Sequence, residues 1–252
     1  MIADNCAGLS TGDARCRDEA TGRLTPAPHD SGPALPATTP HRSEHGIAVG
    51  HAQALPVSDV VHTAQSLARA LLGVNRRWTH TSGVAARAES VVEVVPEEYR
   101  PTLLASAWLH DIGYAQALQD SGFHPLDGAR YLRAHGWHHL IVGLVAHHSC
   151  ARFVADIHGL SEAMNEFPRD EYRSGPLADA LTYADQTINP QGDPIDVHSR
   201  LQGMLHRHGP DSANAQCHHL RAPAILAAVS RTMEAHHRVR GLPRKHRLRL
   251  PY

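Results

Sequence analysis

The chain has 252 residues, of which 42% are hydrophobic and 19% are charged, and its formal net charge is -1. This length allows one sizeable domain with tails, and the balanced charge provides no field that would attract nucleic acid or an anionic membrane. The four cysteines form no C-x-x-C pair, no apolar run approaches the ~20 residues of a membrane helix, and the N-terminus lacks a secretory signal, so we expect a cytoplasmic protein with reduced thiols.

The N-terminal segment, residues 1–56, shows neither a helical nor a strand period. Six prolines stand there among Thr, Ala, Ser and Gly: Pro26, Pro28, Pro33, Pro36, Pro40 and Pro56. Such a composition does not bury enough apolar surface to offset the entropy of folding. We therefore expect a disordered extension, or a stretch added by a misassigned start codon.

The first predicted helix begins at a Ser58-Asp59 cap, carries apolar residues at a 3.6-residue period and ends at Gly73. The second covers about 78–95 and the third ends near 110. Pro125 is well placed in the first turn of a fourth helix, which continues to Gly136.

A fifth helix is predicted over about 138–148. The polar segment 150–174 is expected to form a loop or a short helix over the site. Pro176 opens the next helix, and two more follow at about 195–208 and 222–239.

No segment has a convincing strand pattern, so the sequence predicts an all-α domain over 57–239, a helical bundle followed by a basic tail at 240–252. The tail has the charge to contact RNA, an acidic lipid or a protein. We interpret it as a solvated chain end, because the rest of the chain carries no matching charge excess.

Side chains that bind metals fall on the apolar stripes of these helices or at their ends: His80, His110, Asp111, His124, His147, His148 and Asp185. Neither aspartate has a Lys or Arg three or four residues away, and a buried carboxylate must pair with a cation or become neutral. A divalent ion meets this need. The alternative is a helical core with buried, hydrogen-bonded polar pairs, and the 22 histidines of the chain partly reflect a compositional bias.

These side chains divide into two candidate sites. One ion would be held by His80, His110, Asp111 and Asp185, with room for water. A second would be held by His124 and His147, with Asp111 bridging the two ions and with His148 acting as a ligand or orienting one. Imidazole and carboxylate together suit Mn, Fe, Zn, Co or Ni better than Ca.

Three motifs carry a resemblance to a known family: Arg77-Trp78-Thr79-His80, Leu109-His110-Asp111-Ile112-Gly113 and Tyr183-Ala184-Asp185. Their H…HD…D order resembles the HD-domain superfamily of metal-dependent phosphohydrolases. The segments around His124 and His147-His148 resemble members with extra histidines and two metals. The resemblance implies a helical fold, a divalent metal and hydrolysis of a phosphate ester. The chain departs from many members in having Tyr114-Ala115 where a lysine commonly follows.

The expected function is therefore hydrolysis of a phosphate ester of a small molecule or nucleotide by a metal-activated hydroxide. Asp111 and Arg77 are the predicted catalytic residues, and Arg77, Arg87 and Arg130 are candidates to bind the phosphate, with a solvated arginine as the alternative. Two other functions stay open: a di-iron oxygenase of the same fold and a non-catalytic regulatory domain that binds metal.

Overall fold

The computed structural model describes residues 57–73 and 76–241. Over these residues the chain is all-α, as predicted, with no strand. The helices are α1 (Val57–Leu72), α2 (Arg76–Ser90), α3 (Arg100–Leu109), α4 (His124–Ala134), α5 (His139–His147), α6 (Arg152–Ile157), α7 (Ser161–Met164), α8 (Pro176–Gln186), α9 (Val197–His208), α10 (Ala213–Gln216) and α11 (His218–Val239). The predicted disordered extension and residues 242–252 of the predicted basic tail lie outside the described residues.

The end of one helix differs from the prediction. Helix α2 ends at Ser90 rather than near residue 95, and a short 3-10 turn, Val92–Val94, follows. Pro96 disfavours helical backbone at the residue before it, and Val95 is extended, so no helical turn continues past Val94. The segment 150–174 contains the short helices α6 and α7, in agreement with the predicted loop or short helix.

Helix α3 is the centre of the bundle and packs against α1, α2, α5 and α8. Its two faces contribute side chains to two apolar cores. One core contains Leu109 and Leu126, and the other contains Leu103 and Leu181; all four side chains are fully buried. Because α3 is covered on both sides, the residues at its C-terminal end lie in the interior.

Helix α11 packs along α8 and, with α9, forms a third apolar cluster around Ile225 and Leu201. As a result, the C-terminal ends of α3, α5 and α8 lie close together inside the bundle. None of the helices in the described part of the chain combines the length and apolar composition that a membrane-spanning segment needs.

Candidate metal centre

Six side chains from five parts of the fold meet at the inner end of α3. Five of them are buried and the sixth, on α4, is half-buried; they are His80, His110, Asp111, His124, His148 and Asp185. They come from α2, the end of α3, the start of α4, the end of α5 and the last turn of α8. The structure thus brings together six of the seven predicted ligands.

The first group of side chains surrounds Asp185. The Nε2 atom of His80 lies 3.0 Å from Asp185 Oδ1, and the Nε2 atom of His110 lies 3.9 Å from the same oxygen and 3.6 Å from Asp111 Oδ1. One ligand atom each from His80, His110 and Asp111 lies within 4.8 Å of the other two. These are spacings that one ion can draw together.

The second group surrounds the other side of Asp111. His124 Nε2 and His148 Nε2 lie 3.4 and 4.0 Å from Asp111 Oδ1 and 3.3 Å from each other. These three residues also offer ligand atoms within 4.8 Å of one another. Asp111 belongs to both groups.

Close backbone packing holds the second group in place. A Cβ atom on Gly113 would lie 2.0 Å from the carbonyl oxygen of His124 and 2.8 Å from the backbone nitrogen of Gly128. Only glycine therefore lets the turn after His110-Asp111 lie against the first turn of α4. This contact sets the position of His124 beside Asp111.

The hydrogen bonds of the imidazole rings define which nitrogen atoms are available to an ion. The Nδ1 atoms of His80, His110 and His148 lie 3.0, 2.8 and 2.7 Å from the backbone carbonyl oxygens of Asn189, Ala107 and Val145. A carbonyl oxygen only accepts, so each Nδ1 carries the proton and donates it. In the neutral ring each Nε2 then presents a lone pair toward the carboxylates.

Lone pairs facing ionised carboxylates repel unless a cation lies between them. The buried Nε2 of His110 has no hydrogen-bond partner among the described residues, although two carboxylate oxygens lie within 4 Å. A buried polar atom without a partner costs about 1–3 kcal/mol. The arrangement of these side chains could therefore hold a metal ion.

The carboxylates are held in their charged form. Burial opposes ionisation of Asp111, but His110, His124 and Arg77 outweigh it and hold the pKa of Asp111 well below its ordinary value. Burial likewise opposes ionisation of Asp185, and the hydrogen bond from His80 together with nearby positive charges keeps its pKa low. Both aspartates are therefore anionic at neutral pH.

Burial lowers the pKa of both His124 and His148, and the charge of neighbouring rings adds to the effect. These rings are neutral at pH 7 and can donate a lone pair. His80 differs: burial favours its neutral form, but the hydrogen bond and charge of Asp185 raise its pKa above the ordinary value.

A strained turn at Ser149 and Cys150 is hydrogen-bonded to the carboxylate of Asp185. Ser149, with φ 50° and ψ 37°, and Cys150, with φ 56°, both have left-handed backbone. The Ser149 hydroxyl donates to Asp185 Oδ2, and Gln186 Nε2 donates to that oxygen and to the hydroxyl at 2.8 and 3.0 Å. The buried Arg221 donates from Nε to the Ser149 carbonyl at 3.0 Å. The strain is offset by this network, which orients the carboxylate.

The assignment of His147 to the second ion is corrected. Its Nε2 lies 2.8 Å from the carbonyl oxygen of Phe167, and its ring stacks on Tyr172, away from the two groups. His147 ends α5, and the chain turns to extended backbone at His148. Because consecutive residues of a helix point about 100° apart, only one of the two rings faces the carboxylates, and it is His148.

Of the three arginines that the sequence offered for phosphate, only Arg77 reaches the centre. Its NH1 donates to Asp111 Oδ2 at 3.1 Å, and its guanidinium covers the ring of Tyr114 at 3.6 Å. Tyr114 in turn stacks on His124, with ring centroids 3.9 Å apart, and burial together with the charge of Asp111 raises the pKa of Tyr114 to about 12. Tyr114 is therefore a neutral packing group beside the metal centre.

Arg87 and Arg130 have other partners, which corrects their assignment. Arg87 donates to the Thr187 hydroxyl at 3.0 Å and covers the ring of Tyr183. Arg130 forms ion pairs with Asp120 and Glu166 in an exposed network. Neither side chain has a described contact with the six residues of the centre.

Sequence reasoning missed Ser149, Gln186, Arg200 and Arg221. Ser149 and Gln186 directly follow His148 and Asp185 in the chain, and this adjacency was the available signal. Arg200 lies on the inward face of α9, three residues after the buried Val197, and its NH2 is 3.7 Å from Asp185 Oδ1. Comparisons with protein-family models, with curated proteins and with solved structures return no match for this chain.

Proposed function

We propose that this protein is a metal-dependent phosphohydrolase of the HD-domain type, acting on a phosphate ester of a small molecule or nucleotide. The observation that carries the proposal is the orientation of two imidazoles, His110 and His148. Their Nδ1 protons are committed to backbone carbonyls, so in the neutral rings their Nε2 lone pairs face Asp111 and Asp185. Repulsion inside a buried site is relieved by a cation.

The residues would hold two ions. His80, His110, Asp111 and Asp185 would hold the first, and Asp111, His124 and His148 would hold the second. Four imidazoles and two carboxylates favour Mn, Fe, Zn, Co or Ni over Ca. When bound, such ions supply Lewis acidity, which lowers the pKa of water toward 7 and offsets the charge of a phosphoryl group.

The chain's own residues then have distinct roles. Asp111 stays ionised and joins the two halves of the centre, and the three backbone carbonyls keep the imidazole rings in one tautomer. Arg77, partly exposed at the edge of the centre, presents its guanidinium to the phosphate oxygens of a bound substrate. The substrate, the cytoplasmic location and the absence of a nucleic-acid partner remain predictions.

A paired substitution tests the metal centre. We expect Asp111→Asn to lose both the bound ions and turnover of nitrophenyl phosphates, because it removes the charge shared by both groups. Asp179→Asn is the matched control, since Asp179 is buried and forms an ion pair with Arg231 at 2.7 Å. It should retain the ions. Full metal retention in a folded Asp111→Asn variant would falsify the assignment.

A di-iron oxygenase of the same fold is the second candidate, because a histidine-rich set with one shared carboxylate also suits iron. Anaerobic reconstitution with Fe followed by spectroscopy for a mixed-valent iron pair distinguishes the two. Oxygen uptake with an alcohol or phosphonate, without phosphatase turnover, would favour the oxygenase. A regulatory domain would bind ions and show neither reaction.

A further inference from the structure

Arg200 is a half-buried arginine beside the metal centre, and its Nε donor is not used by any described residue. Its side chain is 13% exposed, and its NH2 lies 3.7 Å from Asp185 Oδ1, beyond hydrogen-bond length. The buried Nε has no hydrogen-bond partner in the described part of the chain. Arginine carries five N–H donors in a planar fork that matches tetrahedral oxyanions. Leaving a buried donor unpaired is costly, so a ligand is expected there.

Asp185 does not need Arg200 for its own stabilisation. His80 already satisfies its Oδ1 at 3.0 Å, and Ser149 and Gln186 both donate to its Oδ2. The guanidinium therefore stands beside a carboxylate whose oxygens have closer partners. A role as the simple counter-charge of Asp185 leaves this geometry unexplained.

Further positive charge lies near Arg200 and Arg77. Arg77 lies on Asp111, and Arg207 of α9 is close enough to Arg200 and Arg77 that their charges add to burial in lowering its pKa. Burial and the same arginines lower the pKa of His208. Like charges that converge from two helices repel, and an anion between them removes the repulsion.

The charges at the centre also favour an anionic ligand when metal ions are bound. Asp111 and Asp185 contribute -2, and Arg77 and Arg200 contribute +2, so these four groups balance one another before any proton on His80 is counted. Each divalent ion would add +2, and this added charge favours an anionic ligand near the two guanidinium groups.

We propose that Arg200 and Arg77 form an anion subsite, one on each side of the metal centre, that binds the doubly negative phosphoryl group of the substrate. This inference rests on the proposed function and extends it, because it assigns phosphate recognition to α9 and α2 rather than to Arg87 and Arg130. The two guanidiniums approach the phosphoryl oxygens from the sides of Asp185 and Asp111, respectively. Arg200 is thus a substrate-binding residue.

The test is calorimetric titration of metal-loaded protein with inorganic phosphate, after the ions per chain have been measured. We expect Arg200→Gln to keep its ions and to weaken phosphate binding about ten- to hundredfold, because it removes charge-assisted hydrogen bonds. Arg200→Lys, with one point charge in place of a fork, should lose less. Arg87→Gln is the matched control, since Arg87 is also half-buried, and should bind phosphate like the wild type.

Each other outcome has one meaning. An Arg200→Gln variant that retains its ions and the wild-type phosphate affinity overturns the subsite. A variant that loses its ions makes Arg200 a positioning residue for Asp185, which also overturns it. Wild-type protein that holds ions but binds no phosphate overturns the subsite and leaves the metal centre standing. Wild-type protein that takes up no ions overturns the proposed function itself.

Discussion

Replacing Ser149 by alanine is expected to weaken metal binding although Ser149 is not a ligand. Its hydroxyl donates to Asp185 Oδ2 and accepts from Gln186 Nε2. The residue is 2% exposed, so water does not readily replace the lost group. Without the hydroxyl, Asp185 keeps one donor on that oxygen and gains freedom to rotate away from the ion.

The size of the effect follows from the type of hydrogen bond. A bond to an ionised carboxylate contributes about 1.5–3 kcal/mol, and loss of a residue that orients a ligand typically costs about 10–100-fold in metal affinity. Ser149→Gly removes the same hydroxyl but relieves the left-handed backbone, which costs a residue with a side chain about 1–2 kcal/mol. Both variants should therefore lose similar metal affinity, and the glycine variant should unfold at the higher temperature.

The assay is competition of each variant with a metal-binding dye, alongside thermal unfolding of the metal-free protein. Thr232→Val is the control, since Thr232 is equally buried and its hydroxyl donates only to the Ala228 carbonyl of its own helix. It should bind metal like the wild type. Wild-type metal affinity in both Ser149 variants would refute the idea that this turn orients Asp185.

Two further predictions concern the neighbours of the centre. Burial holds the pKa of His147 at about 4, against 6.5 for an exposed ring, so its contribution to stability is present above pH 6.5 and is lost as the pH falls toward 4. In urea unfolding of metal-free protein, the drop between pH 7 and pH 5 should be about 2 kcal/mol smaller in His147→Gln, which retains a donor for the Phe167 carbonyl; an equal drop contradicts the assignment. Gly113→Ala should cost about 3 kcal/mol and displace His124, because its Cβ would meet the His124 carbonyl at 2.0 Å. Gly203→Ala, inside α9, should unfold at or above the wild-type temperature; a well-folded Gly113→Ala with both ions would contradict the packing argument.

The helical fold could be predicted because the local signals agree with one another. The 3.6-residue period, the Ser58-Asp59 cap, Gly73 and Gly136 mark helix ends that the structure places within a few residues. The predicted end of α2 near residue 95 followed an apolar stripe, whereas the helix ends at Ser90 and Val95, before Pro96, is extended. A helix boundary of this kind is hard to predict, because a single residue indicates the end while several apolar residues indicate that the helix continues.

The metal centre was only partly predictable. His80, His110, Asp111 and Asp185 stood out because ionisable side chains on apolar stripes need a cation. The choice between His147 and His148 depended on where α5 ends, and a shift of one residue exchanges the two rings.

The supporting residues carried no local signal. Arg221 donates to the carbonyl of Ser149, 72 positions earlier in the chain, and Arg200 reaches Asp185 from another helix. Contacts of this kind depend on how the helices pack, and helical periodicity does not encode them. The left-handed backbone of Ser149 is likewise unexpected for a residue with a side chain, since it persists only where the surroundings over-determine it.

Elemental analysis of the wild-type protein, purified without added metal and then incubated in turn with Mn, Fe, Zn, Co and Ni, tests the central claim most directly. Two groups that share Asp111 predict two transition-metal ions per chain. A chain that retains none of these ions under any condition would show that the imidazoles and carboxylates form a buried polar network and not a metal centre.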